Sequence, residues 1–539
     1  MNNTRTENSK RNSLFGLLMQ VIYLLCSFAT RTILIKTLGA TYLGVNSVFQ
    51  NLLSILSIAE LGFGTVILVS LFKPLADNDE NKICAYLRAY KKVYIFIGLI
   101  ILVLGLCFLP FINAIIGNQS GEIGIEQWKV CIFFLIYLLT TVSSYFFSYK
   151  RALIQADQKK YIDNINYSIF FVLKNVLMSA SLLILSSKGD YDGAFFFYLV
   201  VQPIMVVGEN VSISIIANKK YPYIKTNKSS LNKPEKKELA KLSSSLFIHK
   251  AAETVVTGTD SIIISICLGV TIAGYYSNYM LIFSVGSALC LLPMSQINAS
   301  VGNMVVTCDE KANYAIFRRI LFGYFILIGV ITAGLFSLTQ SFVKDIWLAK
   351  EVSADPDYYF PIFLFIALTV SFYIRYSREP IACYKEVTHL FSVDWGYSIA
   401  KAVINIVVSV ILALVLNHFF GWQYGLLGVV LGTIVCLLTT SIWDEPYYVY
   451  KLYFHVNVRE YFKDYFSYSL VNLLAIGLSA LAVYFIPGSF SSLWLSVVVF
   501  IAKGLLVVLV CSVVYITFYR KNPFFSYFIH LIFDKLIKK

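Results

Sequence analysis

Charged side chains are scarce in this 539-residue sequence. They make up 14% of the residues, whereas a soluble chain carries about a quarter. Hydrophobic residues account for 58%, and the mean hydropathy is +0.72. The chain also lacks the patterns GxxxxGK[ST], HExxH and GxSxG, which mark ATP-binding loops, zinc proteases and serine hydrolases. These absences argue against a soluble enzyme and a built-in ATPase, and we expect no catalytic residues.

Signatures of metal and disulfide sites are missing as well. The ten cysteines lie mainly in apolar segments without any CxxC pair, and the five histidines form no ligand motif. His249 and Glu253 share a predicted helix face, but one histidine with one glutamate does not specify zinc. We therefore expect buried, inert thiols, no metal and no cofactor.

Long apolar runs separated by short polar loops dominate what is present. About 20 apolar residues suffice to cross a bilayer as a helix. The pattern predicts an all-α, polytopic membrane protein with about fourteen transmembrane helices. The predicted spans are 13–35, 43–72, 90–116, 127–148, 162–186, 192–217, 242–268, 275–301, 317–343, 358–376, 390–416, 423–443, 465–486 and 491–518.

The positive charges are distributed unevenly over the predicted loops. If the N-terminus is cytoplasmic, thirty-four of the 44 Lys and Arg residues fall on the inner side and five on the outer side. This asymmetry follows the positive-inside rule and places both termini in the cytoplasm. It also explains the net charge of +14 through the anionic inner leaflet, without a nucleic-acid partner.

Two sequence echoes indicate an internal duplication. Residues 38–44 (LGATYLG) and 268–274 (LGVTIAG) share the pattern LGxTxxG, and each joins one predicted span to the next. Tyr149-Lys-Arg151 follows the fourth predicted span, and Tyr376-Ser-Arg378 follows the tenth. These two segments are 227 residues apart, close to the 230 residues that separate the LGxTxxG motifs. The echoes predict two pseudo-symmetric six-helix lobes in parallel orientation. The predicted divisions are residues 1–217 and 242–455 for the lobes, 218–241 for a basic cytoplasmic linker, and 456–539 for two further helices and a basic tail.

The linker is open to two interpretations. Its eight lysines and two prolines are typical of a solvated loop. The alternative is a docking strip for anionic lipid or for an acidic partner.

Polar residues inside predicted spans are costly and are therefore functional candidates. Their helical spacing predicts a shared wet cavity, and its polar lining residues are Gln20, Ser27, Asn46, Gln50, Ser54, Ser57, His249 and Thr257. The candidates for binding an anionic headgroup are Arg31, Lys174, Lys250 and Lys401. The candidates for gating or ion coupling are Glu60, Glu253 and Asp260.

Arg31 and Asp260 precede the two LGxTxxG motifs at similar distances. A pair between them that forms in one state and breaks in another would act as a gate. Snorkelling of two unrelated side chains is the alternative. For the cations, the alternative to headgroup binding is structural pairing, of Lys250 with Glu253 and of Lys401 with Asp394.

The two LGxTxxG junctions and the opening segment, residues 10–75, resemble polysaccharide flippases of the Wzx type. These belong to the multidrug/oligosaccharidyl-lipid/polysaccharide exporter superfamily. The resemblance implies a bacterial cytoplasmic membrane protein that flips an undecaprenyl-pyrophosphate-linked oligosaccharide from the inner to the outer leaflet by alternating access. The product would feed capsule, exopolysaccharide or O-antigen synthesis. Implied partners are the lipid-linked oligosaccharide, membrane lipids, the polymerase and transferases of the pathway, and a coupling proton or sodium ion.

Three other functions stay open on the sequence. A flippase for a peptidoglycan precursor or a teichoic acid would share the same superfamily. A drug or cation antiporter would be expected to have an acidic cavity, which the four candidate cations disfavour. A membrane glycan polymerase or ligase is disfavoured because duplicated halves suit alternating access.

Overall fold

The structure, a computed structural model, is built from helices. It describes residues 2–57, 70–117, 124–157, 159–227, 229–237, 239, 254–255, 258–307, 309–388, 390, 395–487 and 493–528. Twelve helical stretches in this described part are long and apolar enough to cross a membrane. The all-α, multi-pass prediction is confirmed. The count of fourteen stays a prediction.

The chain divides into two compact units, of which the first covers Met1–Ser277. Its longest helices pack α1 against α7, α7 against α8, and α5 against both α8 and α3. The helices are α1 Asn2–Leu56, α2 Phe72–Ala76, α3 Glu80–Phe108, α4 Ile112–Ile115, α5 Gln127–Phe147, α6 Arg151–Ala156, α7 Lys160–Ser186, α8 Tyr191–Lys220, α9 Tyr223–Thr226 and α10 Asp260–Leu268, and α11 Val270–Thr307 begins in this unit.

The second unit covers Asn278–Lys539. Here α16 packs against α17, while α12 packs against α19 and α20. Its helices are α12 Glu310–Ser341, α13 Ala349–Ala354, α14 Ile362–Ser377, α15 Glu379–Val387, α16 Trp395–Phe420, α17 Trp422–Thr439, α18 Ser441–Tyr447, α19 Val458–Tyr484 and α20 Leu493–Tyr519. Two π-helical turns, Phe342–Trp347 and Tyr448–Tyr453, extend α12 and α18.

Several helices extend beyond the predicted spans. The third predicted span begins at residue 90, but α3 begins at Glu80 because the Asp79 side chain caps it, accepting a hydrogen bond from the Lys82 amide at 3.0 Å. A capped polar turn can continue a membrane helix into the headgroup region. Helix ends therefore depend on local caps that hydrophobicity does not report.

Candidate functional site

Both LGxTxxG junctions contain a glycine with a positive φ. Gly39 has φ 79° and interrupts α1, while Gly269 has φ 107° and separates α10 from α11. L-residues with a side chain rarely adopt such angles, so glycine permits each break. The prediction that glycine supplies unusual dihedrals at these junctions is confirmed.

The two junctions contact each other within the first unit. The hydroxyls of Thr41 and Thr271 lie 3.2 Å apart. A Cβ added at Gly44 would overlap the carbonyl oxygen of Val270. A Cβ added at Gly274 would overlap the carbonyl oxygen of Ala40. Each contact residue has its counterpart 230 positions away, so the sequence echo is also a pseudo-symmetric helix crossing.

Arg31 and Asp260 reach the first turns of α11. The Arg31 guanidinium donates a hydrogen bond to the Ser277 hydroxyl. The Asp260 carboxylate accepts one from the Tyr276 hydroxyl at 3.4 Å. The two charges thus contact consecutive residues of one helix. A direct pair between them stays a prediction.

Two of the four candidate headgroup cations lie on adjoining helices. The Thr30 hydroxyl, next to Arg31 on α1, donates to the Asn175 carbonyl oxygen on α7 at 2.8 Å. Asn175 follows Lys174, whose ammonium lies 5.0 Å from the centre of the Phe171 ring. The buried Thr30–Asn175 bond fixes the registry of α1 against α7. Arg31 and Lys174 are each next in the chain to one partner of this bond.

The polar residues after the first junction differ in exposure. Asn46 is buried, and its carbonyl oxygen accepts a hydrogen bond from the Tyr137 hydroxyl at 3.1 Å. Gln50 is exposed and donates to the same hydroxyl at 2.8 Å. Ser54 is exposed, whereas Ser57 and Ser27 are half-buried. The face predicted to line a cavity is thus accessible at Gln50 and Ser54, while Asn46 belongs to a buried network.

Several predicted residues lie outside the part that the structure describes. These are Glu60, His249, Lys250, Glu253, Thr257 and Asp394, together with the side chain of Gln20. Their assigned roles stay predictions.

A buried charge cluster that the sequence did not reveal lies in the first unit. Arg151 begins α6 and forms ion pairs with Asp163 of α7, at 3.1 Å, and with Glu209 of α8. Asp163 also accepts a hydrogen bond from Gln155 at 2.8 Å. Asn166 donates to the Glu209 carbonyl at 3.1 Å. The cluster joins three helices.

The second unit contains a matching cluster. Arg378, immediately before α15, forms an ion pair with Glu445 of α18, and both side chains are buried. The Lys385 ammonium lies 3.5 Å from the Asp444 carboxylate. Lys401, a predicted headgroup cation, is buried too, and its positive charge acts on Glu445. The structure therefore places Lys401 in a charge cluster.

The arginines of the two clusters are those of the second sequence echo, which fits the predicted duplication. Arg151 and Arg378 each begin the segment after the fourth predicted span of their half. Each pairs with a glutamate at or just after the sixth span. The second sequence echo was the one sequence signal for these clusters, because arginines in polar segments are otherwise typical of cytoplasmic loops.

The chain is similar to known membrane proteins in both sequence and fold. No family model matches the chain. A Salmonella typhi protein named "Putative O-antigen transporter" is 23% identical over 422 residues, which cover 78% of this chain and 90% of that protein. The structure of the lipid II flippase MurJ in an inward closed conformation matches with a TM-score of 0.59 and 16% identity over 95% of this chain and 99% of MurJ. An inward-facing multidrug resistance transporter of the MATE family matches with a TM-score of 0.54 and 12% identity, covering 78% of this chain and 93% of that transporter.

The fold of the chain is thus similar to the folds of MurJ and of this MATE transporter. The sequence similarity to the Salmonella protein is in line with the resemblance noted from the two junction motifs.

Proposed function

We propose that this protein flips an undecaprenyl-pyrophosphate-linked oligosaccharide from the inner to the outer leaflet of the bacterial cytoplasmic membrane. The supporting observation is the similarity to the Salmonella O-antigen transporter over most of both chains, combined with the superfamily fold. Both termini face the cytoplasm in this proposal. A complete repeat unit enters from the inner side and leaves for polymerisation outside.

Arg31 and Lys174 form the core of the proposed headgroup site. A pyrophosphate needs cationic partners when it leaves bulk water, and an Arg guanidinium holds phosphate oxygens through a bidentate fork. The Thr30–Asn175 bond supports their joint role because it keeps α1 and α7 in registry. Lys250 and Lys401 are further candidates, and Gln50 and Ser54 would contact sugar hydroxyls.

The LGxTxxG crossing is the proposed gate. Arg31 and Asp260 already contact adjacent residues of α11, so a small rotation would bring them together or separate them. Glu60 and Glu253 remain candidates for binding a coupling proton or sodium ion. A charge that crosses the membrane potential would supply about 2.3 kcal/mol per 100 mV.

The decisive experiment follows the lipid-linked sugars in the host. Deleting the protein should trap complete repeat units on the cytoplasmic leaflet. Arg31→Gln combined with Lys174→Gln should trap the same units at normal protein abundance in the membrane. Lys188→Gln, at an exposed lysine in the loop before α8, is the matched control and should support normal export.

Other outcomes identify the alternatives. Accumulated peptidoglycan precursor or teichoic acid intermediates would assign a different lipid-linked cargo. Normal flipping with altered drug sensitivity would favour an antiporter. Unpolymerised units on the outer leaflet would favour a polymerase or ligase.

A further inference from the structure

The basic segment after α8 is packed against the rest of the first unit. The Tyr221 ring is buried, and its hydroxyl donates to the Asp157 carboxylate at 2.6 Å. The Arg88 guanidinium of α3 donates to the carbonyls of Asn227, at 2.9 Å, and Ser229, at 3.1 Å. These contacts fix both the beginning and the middle of the segment. We name residues 219–227 and 229–237 the basic strip.

Further contacts attach the basic strip to the first turn of α3. The side-chain oxygen of Asn81 accepts hydrogen bonds from the side-chain amide of Asn227 at 2.6 Å and from the Ser229 hydroxyl at 3.2 Å. Leu231 is buried. Burial raises the pKa of the Tyr223 hydroxyl to about 12, so this ring stays neutral near neutral pH. The strip is therefore a folded surface of the first unit.

Five lysines of the basic strip are exposed. The exposed lysines on the strip are Lys219, Lys220, Lys233, Lys236 and Lys237. Exposed lysines on the adjoining ends of α3 and α7 are Lys82, Lys91, Lys92 and Lys160. Glu235 is half-buried and accepts a hydrogen bond from the Asn232 amide at 2.9 Å. These nine exposed lysines outnumber the exposed carboxylates of the adjoining end of α3, Asp77 and Glu80.

We propose that the basic strip binds anionic phospholipid headgroups of the leaflet from which α8 emerges. The strip starts at the last residues of a membrane-spanning helix, and the contacts with Arg88 and Asn81 hold it against the end of another. These contacts keep the strip near the ends of two candidate membrane-spanning helices. Attraction between exposed lysines and an anionic leaflet decays over a Debye length, about 8 Å at physiological salt. Near an anionic leaflet each such lysine strengthens attachment about fivefold. The inference rests on the cytoplasmic placement of the strip and is independent of the cargo.

The test uses the full-length protein in lipid nanodiscs without any transport substrate. Hydrogen exchange of residues 219–237 is measured in discs of phosphatidylcholine alone and in discs that also contain phosphatidylglycerol. Native mass spectrometry counts the retained phosphatidylglycerol. The wild-type strip should exchange more slowly in anionic discs, and 1 M salt, with a Debye length of about 3 Å, should remove the difference.

Three variants separate local binding from net charge. Lys233, Lys236 and Lys237 are changed together to Gln, which should weaken lipid attachment by about a hundredfold. The matched control changes three exposed lysines of the second unit, Lys311, Lys463 and Lys521, to Gln and should behave as wild type at the strip. Arg88→Gln keeps the strip lysines but removes the clamp, and it should reduce the protection given by anionic lipid.

Several results would overturn the proposal. One is equal hydrogen exchange of the wild-type strip in both kinds of disc. Another is a loss of lipid attachment in the control triple variant that is as large as the loss in the strip triple variant. Full protection in Arg88→Gln would show that the folded arrangement is irrelevant. Protection that appears in native membranes but in neither disc would assign the strip to an acidic protein partner instead. Since no cargo is present, none of these results bears on the flippase assignment.

Discussion

At the scale of single residues, Gly44 and Gly274 allow the close helix contact between the two LGxTxxG junctions. Gly44→Ala and Gly274→Ala each place a methyl group on a backbone carbonyl of the other junction. Overpacking of this kind costs about 1–3 kcal/mol. We expect each variant to lower the thermal stability of the purified protein, measured by size-exclusion chromatography after heating.

Gly334 provides the control for this prediction. It lies inside α12, and a Cβ there would meet no atom within 4 Å. Gly334→Ala should therefore leave stability unchanged or raise it by up to about 1 kcal/mol, because alanine favours helix. Equal effects at Gly44 and Gly334 would show that the crossing is looser than the structure indicates.

The buried Arg378–Glu445 pair predicts a larger effect. Removal of one partner from a buried ion pair costs about 3–5 kcal/mol, because the remaining charge is uncompensated. Glu445→Gln should be more damaging than Arg378→Gln, since Lys385 and Lys401 still act on Glu445 when the arginine is gone. Thermal melting of the two single variants and the double variant would measure the coupling.

The corresponding pair in the first unit differs in one respect. Arg151 pairs with both Asp163 and Glu209, so replacing Arg151 and Glu209 together should still leave Asp163 unbalanced. The Arg151 and Glu209 double variant should therefore recover less stability, relative to its single variants, than the Arg378 and Glu445 double variant. Glu126→Gln, at the exposed Lys129–Glu126 pair, is the control and should cost less than about 1 kcal/mol.

At the scale of helices, the Thr41–Thr271 contact joins α1 to α11. Their hydroxyls are 3.2 Å apart, so cysteines at both positions should form a disulfide after small side-chain adjustments. If the crossing opens during transport, the oxidised double-cysteine variant should stop flipping, and a reductant should restore it. Each single-cysteine variant controls for the substitutions. Full activity while crosslinked would exclude the crossing as the gate.

The same helices show how much the sequence could reveal. The glycine breaks at residues 39 and 269 were predictable, because a repeated LGxTxxG pattern at a constant offset marks equivalent turns. Arg31 was identifiable because a charge inside an apolar run is conspicuous. The crossing itself was not predictable, since the sequence gives two equivalent turns without saying that their backbones touch.

The buried ion pairs escaped prediction for a different reason. Arg151 and Arg378 lie in polar segments, where positive charge normally indicates a cytoplasmic loop. Their ion pairs depend on the short helices α6 and α15, which contact neighbouring helices of their own units. Glu445 follows the last apolar residues of α17 and gave no separate signal. Tertiary packing, which hydrophobic periodicity does not encode, decides the partners of such charges.

At the scale of the whole molecule, the number of membrane crossings before residue 70 determines the orientation of the first unit. The stretch Ile22–Leu56 has 35 residues, and a continuous helix of that length would be about 52 Å long, far beyond the roughly 30 Å hydrocarbon core. The break at Gly39 therefore favours two crossings within this stretch and its continuation. With the N-terminus in the cytoplasm, as proposed above, two crossings would return the chain to the cytoplasm before α3.

Labelling from one side of the membrane tests this arrangement. We expect cysteines introduced at Asn78 and at Lys219, both exposed, to react with a membrane-impermeant reagent after the cells are opened, and a cysteine at Lys188 to react in intact cells. If α1 crossed once and all later predicted spans were kept, all three results would reverse, and the loops of the second unit would reverse with them. A cysteine at exposed Lys311, expected inside under two crossings and outside under one, is therefore a fourth reporter. The single crossing would also place the lysines of the basic strip outside, against the positive-inside rule, so the labelling of Lys219 decides the topology and the leaflet that the strip can contact.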